Sequence, residues 1–189
     1  MNLSECIGTR RSIRIFKQTP VERAVLREMV DAARLAPSLA NLQPLRYRLI
    51  TDSGMRDALH PYIHYAGYLP EFNPAPEQCP TAFIAVFADT AVRSADACEC
   101  DAGLCMMSMC LVARAHGLDT IILGAIERKK ICERLCVPES LSLMYLVGVG
   151  EADQGAEVTP FEGSVKYTMD DEGNIRVPKR LLEDILIED

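Results

Sequence analysis

The feature that most constrains this fold is the stretch from Ser94 to Ala115, which predicts one long helix closed by Gly117. Apolar and small side chains would lie nearly all the way round it: Ala102, Gly103, Leu104, Cys105, Met106, Met107, Met109, Cys110, Leu111, Val112 and Ala113. Such a helix must be buried on most of its circumference. In a chain of 189 residues it is therefore either the central core helix or half of a homodimer interface.

Length and charge limit the class of protein. The 189 residues fit a single domain spanning residues 1–189, and 49% of them are hydrophobic. The formal charge of -7 disfavours nucleic acid as a partner. There is no basic leader followed by an apolar run, and no apolar stretch is long enough to span a bilayer. We expect a cytoplasmic protein with no membrane partner.

Helical and strand patterns alternate along the chain. Thr19, followed by Pro20 and Glu22, has the pattern of a capping box and predicts a helix from Pro20 to Leu35. Asp52 or Ser53 is expected to cap a short helix that reaches Leu59. The remaining predicted elements are strands at Tyr47–Thr51, Thr81–Ala88 and Leu141–Val149, an apolar segment at Ile121–Ile126, a helix at Lys129–Leu135, and a hairpin joining Val165–Met169 to Ile175–Val177.

The stretch from His60 to Pro80 is irregular because it contains five prolines, which exclude a long helix or a central strand. It also carries aromatic side chains. As a long loop it is either a substrate lid or a surface connection with packed rings. Its candidate pocket residues are Tyr62, His64, Tyr65 and Tyr68.

Eight cysteines raise the possibility of a metal or iron–sulfur site. The clustered ones are Cys98, Cys100, Cys105, Cys110, Cys132 and Cys136. Neither a C-x-x-C pair nor a spaced histidine pair occurs, so the pattern favours cysteines that act as small hydrophobic residues. We therefore predict no metal site.

Two short segments carry the chemistry. Arg10, Arg11 and Arg14 surround Ser12, and guanidinium groups bind phosphate bidentately. Further on, Asn41 and Gln43 would point to the same side of an extended backbone, where amides can read the N and O edge of a heterocycle. Each segment also has a plain structural interpretation, as a solvated surface or as turn chemistry.

In order, these segments resemble the opening of the nitroreductase family of FMN-dependent oxidoreductases. The residues that carry the resemblance are Arg10-Arg11-Ser12-Ile13-Arg14-x-Phe16, the helix that begins near Thr19, and Ala36-Pro37-Ser38-Leu39-Ala40-Asn41-Leu42-Gln43-Pro44. The likeness continues through the long helix from Asp101 to Gly117, Leu123-Gly124-Ala125 and Val177-Pro178-Lys179-Arg180.

The resemblance implies an α+β fold of three α/β/α layers with a mixed, mainly antiparallel sheet, and a homodimer with FMN at its interface. Arg10, Arg11, Ser12 and Arg14 would hold the phosphate and ribityl oxygens, with Lys179 and Arg180 completing the charge. Pro37, Ser38 and Leu39 would approach the partner subunit's flavin, Asn41 and Gln43 would read the flavin edge, and Gly124 and Ala125 would reach flavin N5. Met106, Met107 and Cys110 would form the dimer core.

The implied activity is ping-pong hydride transfer from NAD(P)H through FMN to a small acceptor, such as a nitroaromatic or a quinone. No side chain is identified as a catalytic acid or base. Two alternatives remain: a flavin-binding sensor or storage protein without efficient turnover, and a cysteine-based metal or redox protein.

Overall fold

The computed structural model describes residues 1–188, which form an α+β fold. The helices are α1 (Leu3–Thr9), α2 (Arg23–Leu35), α3 (Ser53–Leu59), α4 (Glu99–Ala115) and α5 (Arg128–Leu135). The strands are β1 (Leu45–Ile50), β2 (Ala82–Asp89), β3 (Asp119–Leu123), β4 (Leu141–Gly150), β5 (Ala156–Pro160), β6 (Thr168–Met169) and β7 (Ile175–Lys179).

The central sheet has four antiparallel strands in the order β1-β2-β4-β3. Strand β2 lies between two neighbours, and all but its last residue are buried, as expected for the continuous apolar run that predicted it. Its alternate side chains point to opposite faces of the sheet.

Each face of this sheet is covered by its own hydrophobic core. Ile84 and Val86 of β2 pack with residues of α2 and α4, whereas Phe83 and Phe87 pack with residues of α3 and α5. The predicted arrangement of a sheet between two helical layers is therefore confirmed.

The second sheet belongs to the C-terminal part and has the order β5-β7-β6. Strands β5 and β7 are parallel, while β6 and β7 form the predicted hairpin. Asp170 stabilises the turn because its carboxylate accepts hydrogen bonds from the backbone N–H groups of Glu172 and Asn174. The parallel pairing lies in this separate sheet, and the central sheet is wholly antiparallel.

Two predicted helix starts were wrong. Helix α2 begins at Arg23, and the Thr19 hydroxyl donates to the Glu151 carboxylate at 3.0 Å instead of capping the helix. Helix α4 begins at Glu99, because the preceding residues Ala95–Cys98 form a separate 3₁₀ turn. The predicted cap of α3 is confirmed, since Asp52 accepts from the backbone N–H of Met55.

Helix α4 is the core helix of the chain itself. Met106 and Cys110, predicted to lie in a dimer core, are buried within the chain, at 4% and 1% exposure. They contact the interior because one side of α4 faces α2 and the sheet. The less buried side of α4 carries Leu104, Met107 and Leu111. Within residues 1–188, no helix is long and apolar enough to cross a membrane.

Candidate functional site

The segment from Arg10 to Arg14 follows α1 and lies along the edge of the central sheet. The backbone N–H of Arg10 donates to the Cys6 carbonyl, which ends the helix. Ser12 then pairs with Thr120 in a parallel bridge, and the N–H of Ile13 donates to the Thr120 carbonyl at 3.1 Å. Strand β3 therefore fixes the backbone of this segment.

Arg10 and Arg11 form a concentration of uncompensated positive charge. Within residues 1–188 neither forms an ion pair, and the Nε atom of each is buried without a hydrogen-bond partner. Burial and the neighbouring Arg10 charge lower the pKa of the Arg11 guanidinium. Arg11 does donate to the carbonyls of Gly8 and Arg10, which holds it against α1. The two unpartnered Nε–H donors and the positive charge favour binding of an anion at Arg10 and Arg11.

Arg14 differs from the other two arginines because it is buried, at 6% exposure. Its Nε donates to the carbonyl of Tyr65 at 2.9 Å, and its guanidinium lies 4.3 Å from the centre of the Tyr167 ring. Burial lowers the pKa of this guanidinium. Arg14 thus links the N-terminal segment to the irregular loop and to the C-terminal sheet.

The loop from Pro37 to Pro44 is held in an unusual backbone conformation. Ala40, Asn41 and Gln43 have φ values of 50°, 55° and 49°, a left-handed region that non-glycine residues rarely adopt. The loop is closed by the N–H of Gln43, which donates to the Ser38 hydroxyl at 3.0 Å. The amides of Asn41 and Gln43 lie together, 3.2 Å from Oδ1 to Nε2, on a tight turn and not on the extended backbone expected.

This loop is anchored to α4 by a buried carboxylate. Oδ1 of Asp101 accepts a hydrogen bond from the backbone N–H of Leu39 at 2.9 Å, while Oδ2 is buried and has no partner among the described residues. Asp101, Ser38 and Gln43 border a cavity of about 300 Å³ that also reaches Tyr47 and Cys105.

Gly124 and Ala125 directly follow β3 at the opposite end from Asp119. A Cβ atom on Gly124 would lie 3.0 Å from Cε1 of Tyr145, so only glycine fits without a shift of that ring. The carbonyl of the exposed Ala125 accepts from the backbone N–H of His64 at 2.9 Å. This bond ties the turn to the irregular loop.

Lys179 and Arg180 lie at the end of β7 and are exposed. The Arg180 guanidinium lies over the Phe161 ring at 4.3 Å. In the part of the chain that the structure describes, neither residue forms an ion pair. Arg14 is connected to their sheet through Gln154, which accepts from the Arg14 N–H and donates to the Gly173 carbonyl.

Comparison with known proteins decides the family. A profile of the nitroreductase family matches residues 7–67 and 67–151, which is most of the chain. This chain belongs to the nitroreductase family. The match includes every predicted site residue from Arg10 to Ala125 and ends before Lys179.

Individual relatives agree with this assignment. A protein of Archaeoglobus fulgidus, assigned as an NADH dehydrogenase/NAD(P)H nitroreductase, is 27% identical over 78% of this chain and 86% of its own length. An FMN-dependent nitroreductase of Clostridium difficile has a TM-score of 0.66 and 25% identity, covering 78% of this chain and 86% of its own. A protein from Exiguobacterium sibiricum, described as a nitroreductase and solved in complex with FMN, has a TM-score of 0.67 and 27% identity, covering 81% and 89%.

One polar cluster of this nitroreductase family member was not predicted from the sequence. Nδ1 of His60 lies 3.3 Å from Sγ of Cys79 and 3.4 Å from the hydroxyl of Tyr65. His60 and Cys79 are far apart in sequence, so no local motif marks them. Only the proline-rich, aromatic character of the loop indicated a site there.

A cavity of about 440 Å³ adjoins this cluster. Two of the four predicted pocket residues, His64 and Tyr65, border it, whereas Tyr62 and Tyr68 do not. Tyr68 instead packs on Tyr167, with ring centres 5.1 Å apart.

The cysteines are dispersed through the fold. All eight are free thiols, and four of those in the two sequence clusters, Cys98, Cys105, Cys110 and Cys132, have their pKa raised by burial. Among residues 1–188, no three His, Cys, Asp or Glu side chains converge in a group that could hold a metal ion.

Proposed function

We propose that this chain is an FMN-dependent oxidoreductase that uses NAD(P)H to reduce a small acceptor such as a quinone or a nitroaromatic. The observation that carries the proposal is the pair of buried, unpartnered Nε atoms on Arg10 and Arg11, beside Ser12. Buried donors without partners are unfavourable unless a ligand completes them, and a phosphate monoester supplies the charge and oxygens for both. The nitroreductase relatives supply the identity of the ligand.

The other predicted residues would each contact a different part of FMN. Lys179 and Arg180 would add positive charge near the phosphate, and Arg14 would hold its neighbours in place and meet the ribityl oxygens. Asn41 and Gln43 would offer amides to the flavin edge, and Gly124 and Ala125 a backbone turn to flavin N5. In a dimer, Pro37, Ser38 and Leu39 would serve the partner subunit's flavin.

When bound, FMN supplies a ring that accepts a hydride from NAD(P)H and passes it to the acceptor. The balance for a quinone is one hydride from NAD(P)H and one proton from solvent, giving a quinol and NAD(P)⁺. The chain's own residues would bind the phosphate and orient the ring. Residues 1–189 would act as a single domain.

The proposed assembly is a homodimer. The exposed side of α4 presents Leu104, and the Pro37–Pro44 loop exposes Leu39 and Leu42, at 58% and 47%. Joining these apolar surfaces in a second copy would cover them and bring one subunit's loop to the other's arginines.

Paired flavin titrations test the phosphate assignment. Arg11→Ala should weaken FMN binding at least tenfold, measured by quenching of flavin fluorescence, because a charge-assisted phosphate contact is worth about 1.5–3 kcal/mol. Riboflavin, which lacks the phosphate, should bind both proteins equally. Arg134→Ala, an exposed arginine on α5, serves as the matched control and should change neither affinity. If Arg11→Ala weakened the binding of FMN and riboflavin equally, the phosphate assignment would be contradicted.

A further inference from the structure

The end of α4 and the start of β3 are joined by an ion pair to which the proposed function assigns no role. Arg114 lies in the last turn of α4, and Asp119 is the first residue of β3. Nη1 of Arg114 is 3.0 Å from both carboxylate oxygens of Asp119. The turn between them contains Gly117 at a φ of 74°, a left-handed conformation that glycine adopts without strain. The end of α4 is therefore fixed to the start of β3.

Asp119 needs Arg114 as a partner because its carboxylate is buried. Only 8% of Asp119 is exposed, and burial raises the pKa of the carboxyl group while the Arg114 guanidinium opposes that shift. Removing one partner of a buried ion pair leaves an unpaired charge, which is strongly unfavourable. The ion pair is also neutral overall, so it adds no net charge to that of the arginine pair, Arg10 and Arg11.

Arg114 also contacts α1, the helix that precedes the arginine pair. Its Nε donates to the Thr9 hydroxyl at 3.1 Å, and that hydroxyl donates in turn to the carbonyl of Glu5 at 2.7 Å. Thr9 is the last residue of α1 and directly precedes Arg10. Arg114 therefore holds the N-terminal side of the arginine pair in place.

The C-terminal side of the arginine pair is fixed to β3. Ser12 forms a parallel bridge with Thr120, and the N–H of Ile13 donates to the Thr120 carbonyl at 3.1 Å. Thr120 directly follows Asp119 along the strand. The arginine pair therefore lies on a short stretch of backbone with both ends held, and the ion pair of Arg114 with Asp119 connects the two anchors.

We infer, on the basis of the proposed function, that Arg114 is a positioning residue for FMN. Through Thr9 it sets where α1 ends, and so where the guanidinium groups of Arg10 and Arg11 meet the phosphate. Contacts between guanidinium groups and a phosphate depend on geometry, and neighbouring residues must hold the donors in place. The affinity that Arg114 contributes therefore belongs to the phosphate contacts and is absent for a flavin that lacks the phosphate.

Substitutions of Thr9 break this contact without leaving a buried charge unpaired. Thr9→Val keeps the shape of the side chain and removes the hydroxyl, whereas Thr9→Ser keeps the hydroxyl. Thr9→Val should weaken FMN binding about threefold to tenfold, measured by quenching of flavin fluorescence, which is the effect of about one hydrogen bond. Thr9→Ser should bind FMN as tightly as the wild type. Riboflavin should bind all three proteins equally.

Thr90→Val is the matched control for the loss of a hydroxyl. Thr90 is also exposed, and its hydroxyl likewise donates to a backbone carbonyl, that of Ser140 at 3.0 Å. It directly follows β2 and is not among the residues assigned to FMN. Thr90→Val should lower the free energy of unfolding about as much as Thr9→Val does, but it should leave the affinity for both flavins unchanged.

A double-mutant cycle tests whether Thr9 acts through Arg114. Arg114→Lys leaves a cation beside the Asp119 carboxylate but lacks the planar fork that reaches Thr9 and Asp119 together. FMN binding should weaken in this variant too, and the combination with Thr9→Val should cost no more than the larger single loss. Additive losses would show that the two residues act independently and would overturn the inference.

These outcomes separate the positioning role from the proposed function. If Thr9→Val leaves the FMN affinity unchanged, or weakens FMN and riboflavin equally, the positioning role is overturned, while the proposed function stands because the wild type still binds FMN. A wild-type protein that takes up no FMN would instead overturn the proposed function, and the positioning role with it.

Discussion

The carboxylate of Asp101, in the first turn of α4, accepts a hydrogen bond from the backbone N–H of Leu39 at 2.9 Å. Through this contact the core helix holds the loop from Pro37 to Pro44, whose backbone is strained at Ala40, Asn41 and Gln43. The second oxygen of Asp101 is buried and has no partner among residues 1–188. One oxygen therefore positions the loop. The other oxygen loses its contact with water on folding and gains no hydrogen bond in return, which is unfavourable.

Replacing Asp101 by alanine should release the loop, whereas replacing it by asparagine should not. Asparagine keeps an oxygen to accept from Leu39 and removes the buried charge. We expect the free energy of unfolding of Asp101→Ala, measured by urea titration, to be about 1 kcal/mol lower than that of Asp101→Asn. Asp101→Ala should also bind FMN more weakly than Asp101→Asn. Equal stability and equal FMN affinity of the two variants would show that the contact does not order the loop.

The Glu151 carboxylate predicts a pH-dependent contribution to stability. Hydrogen bonds and charge from Lys17, 2.5 Å away, and a hydrogen bond from Thr19 hold the pKa of Glu151 below its ordinary value of 4.5. Because the folded pKa is the lower one, the contribution is present above the unfolded pKa and is lost as the pH falls through the folded pKa. Glu151→Gln should therefore be less stable than wild type at pH 7, with the difference disappearing in the acid range.

Thermal unfolding at a series of pH values measures this difference. The pair is exposed, so 1 M salt should also reduce it at pH 7. A gap between Glu151→Gln and wild type that does not shrink as the pH falls would contradict the account.

A methyl group at Gly124 should crowd the Tyr145 ring. In Gly124→Ala the new Cβ would lie 3.0 Å from the Tyr145 ring, and that ring is held by a hydrogen bond from its hydroxyl to Glu99. We expect a loss of about 1–3 kcal/mol in unfolding free energy from this overpacking, together with weaker FMN binding. Gly54→Ala in α3 is the matched control, since its Cβ would meet only an ordinary contact at 3.4 Å and should not destabilise the protein.

The proposed dimer is tested at Leu104, which is 43% exposed on α4. Leu104→Asp places a charge on the apolar surface without disturbing the core of the chain. Sedimentation velocity should then find a monomer where the wild type is a dimer, and FMN binding should fall because the partner's loop is missing. Ser94→Asp, on the segment before α4, provides a control for added charge. A wild-type monomer that binds FMN normally would refute the shared site.

Local patterns predicted much of this fold. The apolar run of β2, the Asp52 cap and the Asp170 turn are each decided by nearby residues, and the structure confirms them. Thr19 has the right pattern for a cap, but its hydroxyl is taken by Glu151, a residue distant in sequence. Helix starts of this kind depend on tertiary partners that no short motif reveals.

The candidate site, like the fold, could be predicted only in part from the sequence. The arginine segment and the Pro37–Pro44 loop are visible as residue patterns, yet nothing in the pattern distinguishes the unpaired Arg10 and Arg11 from the buried Arg14, whose partners include Tyr65 and Tyr167. The contact of His60 with Cys79 arises only when the proline-rich loop folds back on itself. Residue types indicate which chemistry is available, and the fold decides which groups remain free.

The visible absorption spectrum of the protein loaded with FMN is the most direct test of the central claim. The account predicts one FMN bound per chain, with an absorption band near that of free flavin, and bleaching of this band when NADH or NADPH is added without oxygen. Addition of menadione should then restore the band. A protein that binds no FMN would contradict the account, and one that binds FMN without bleaching would leave a flavin-binding protein in place of an oxidoreductase.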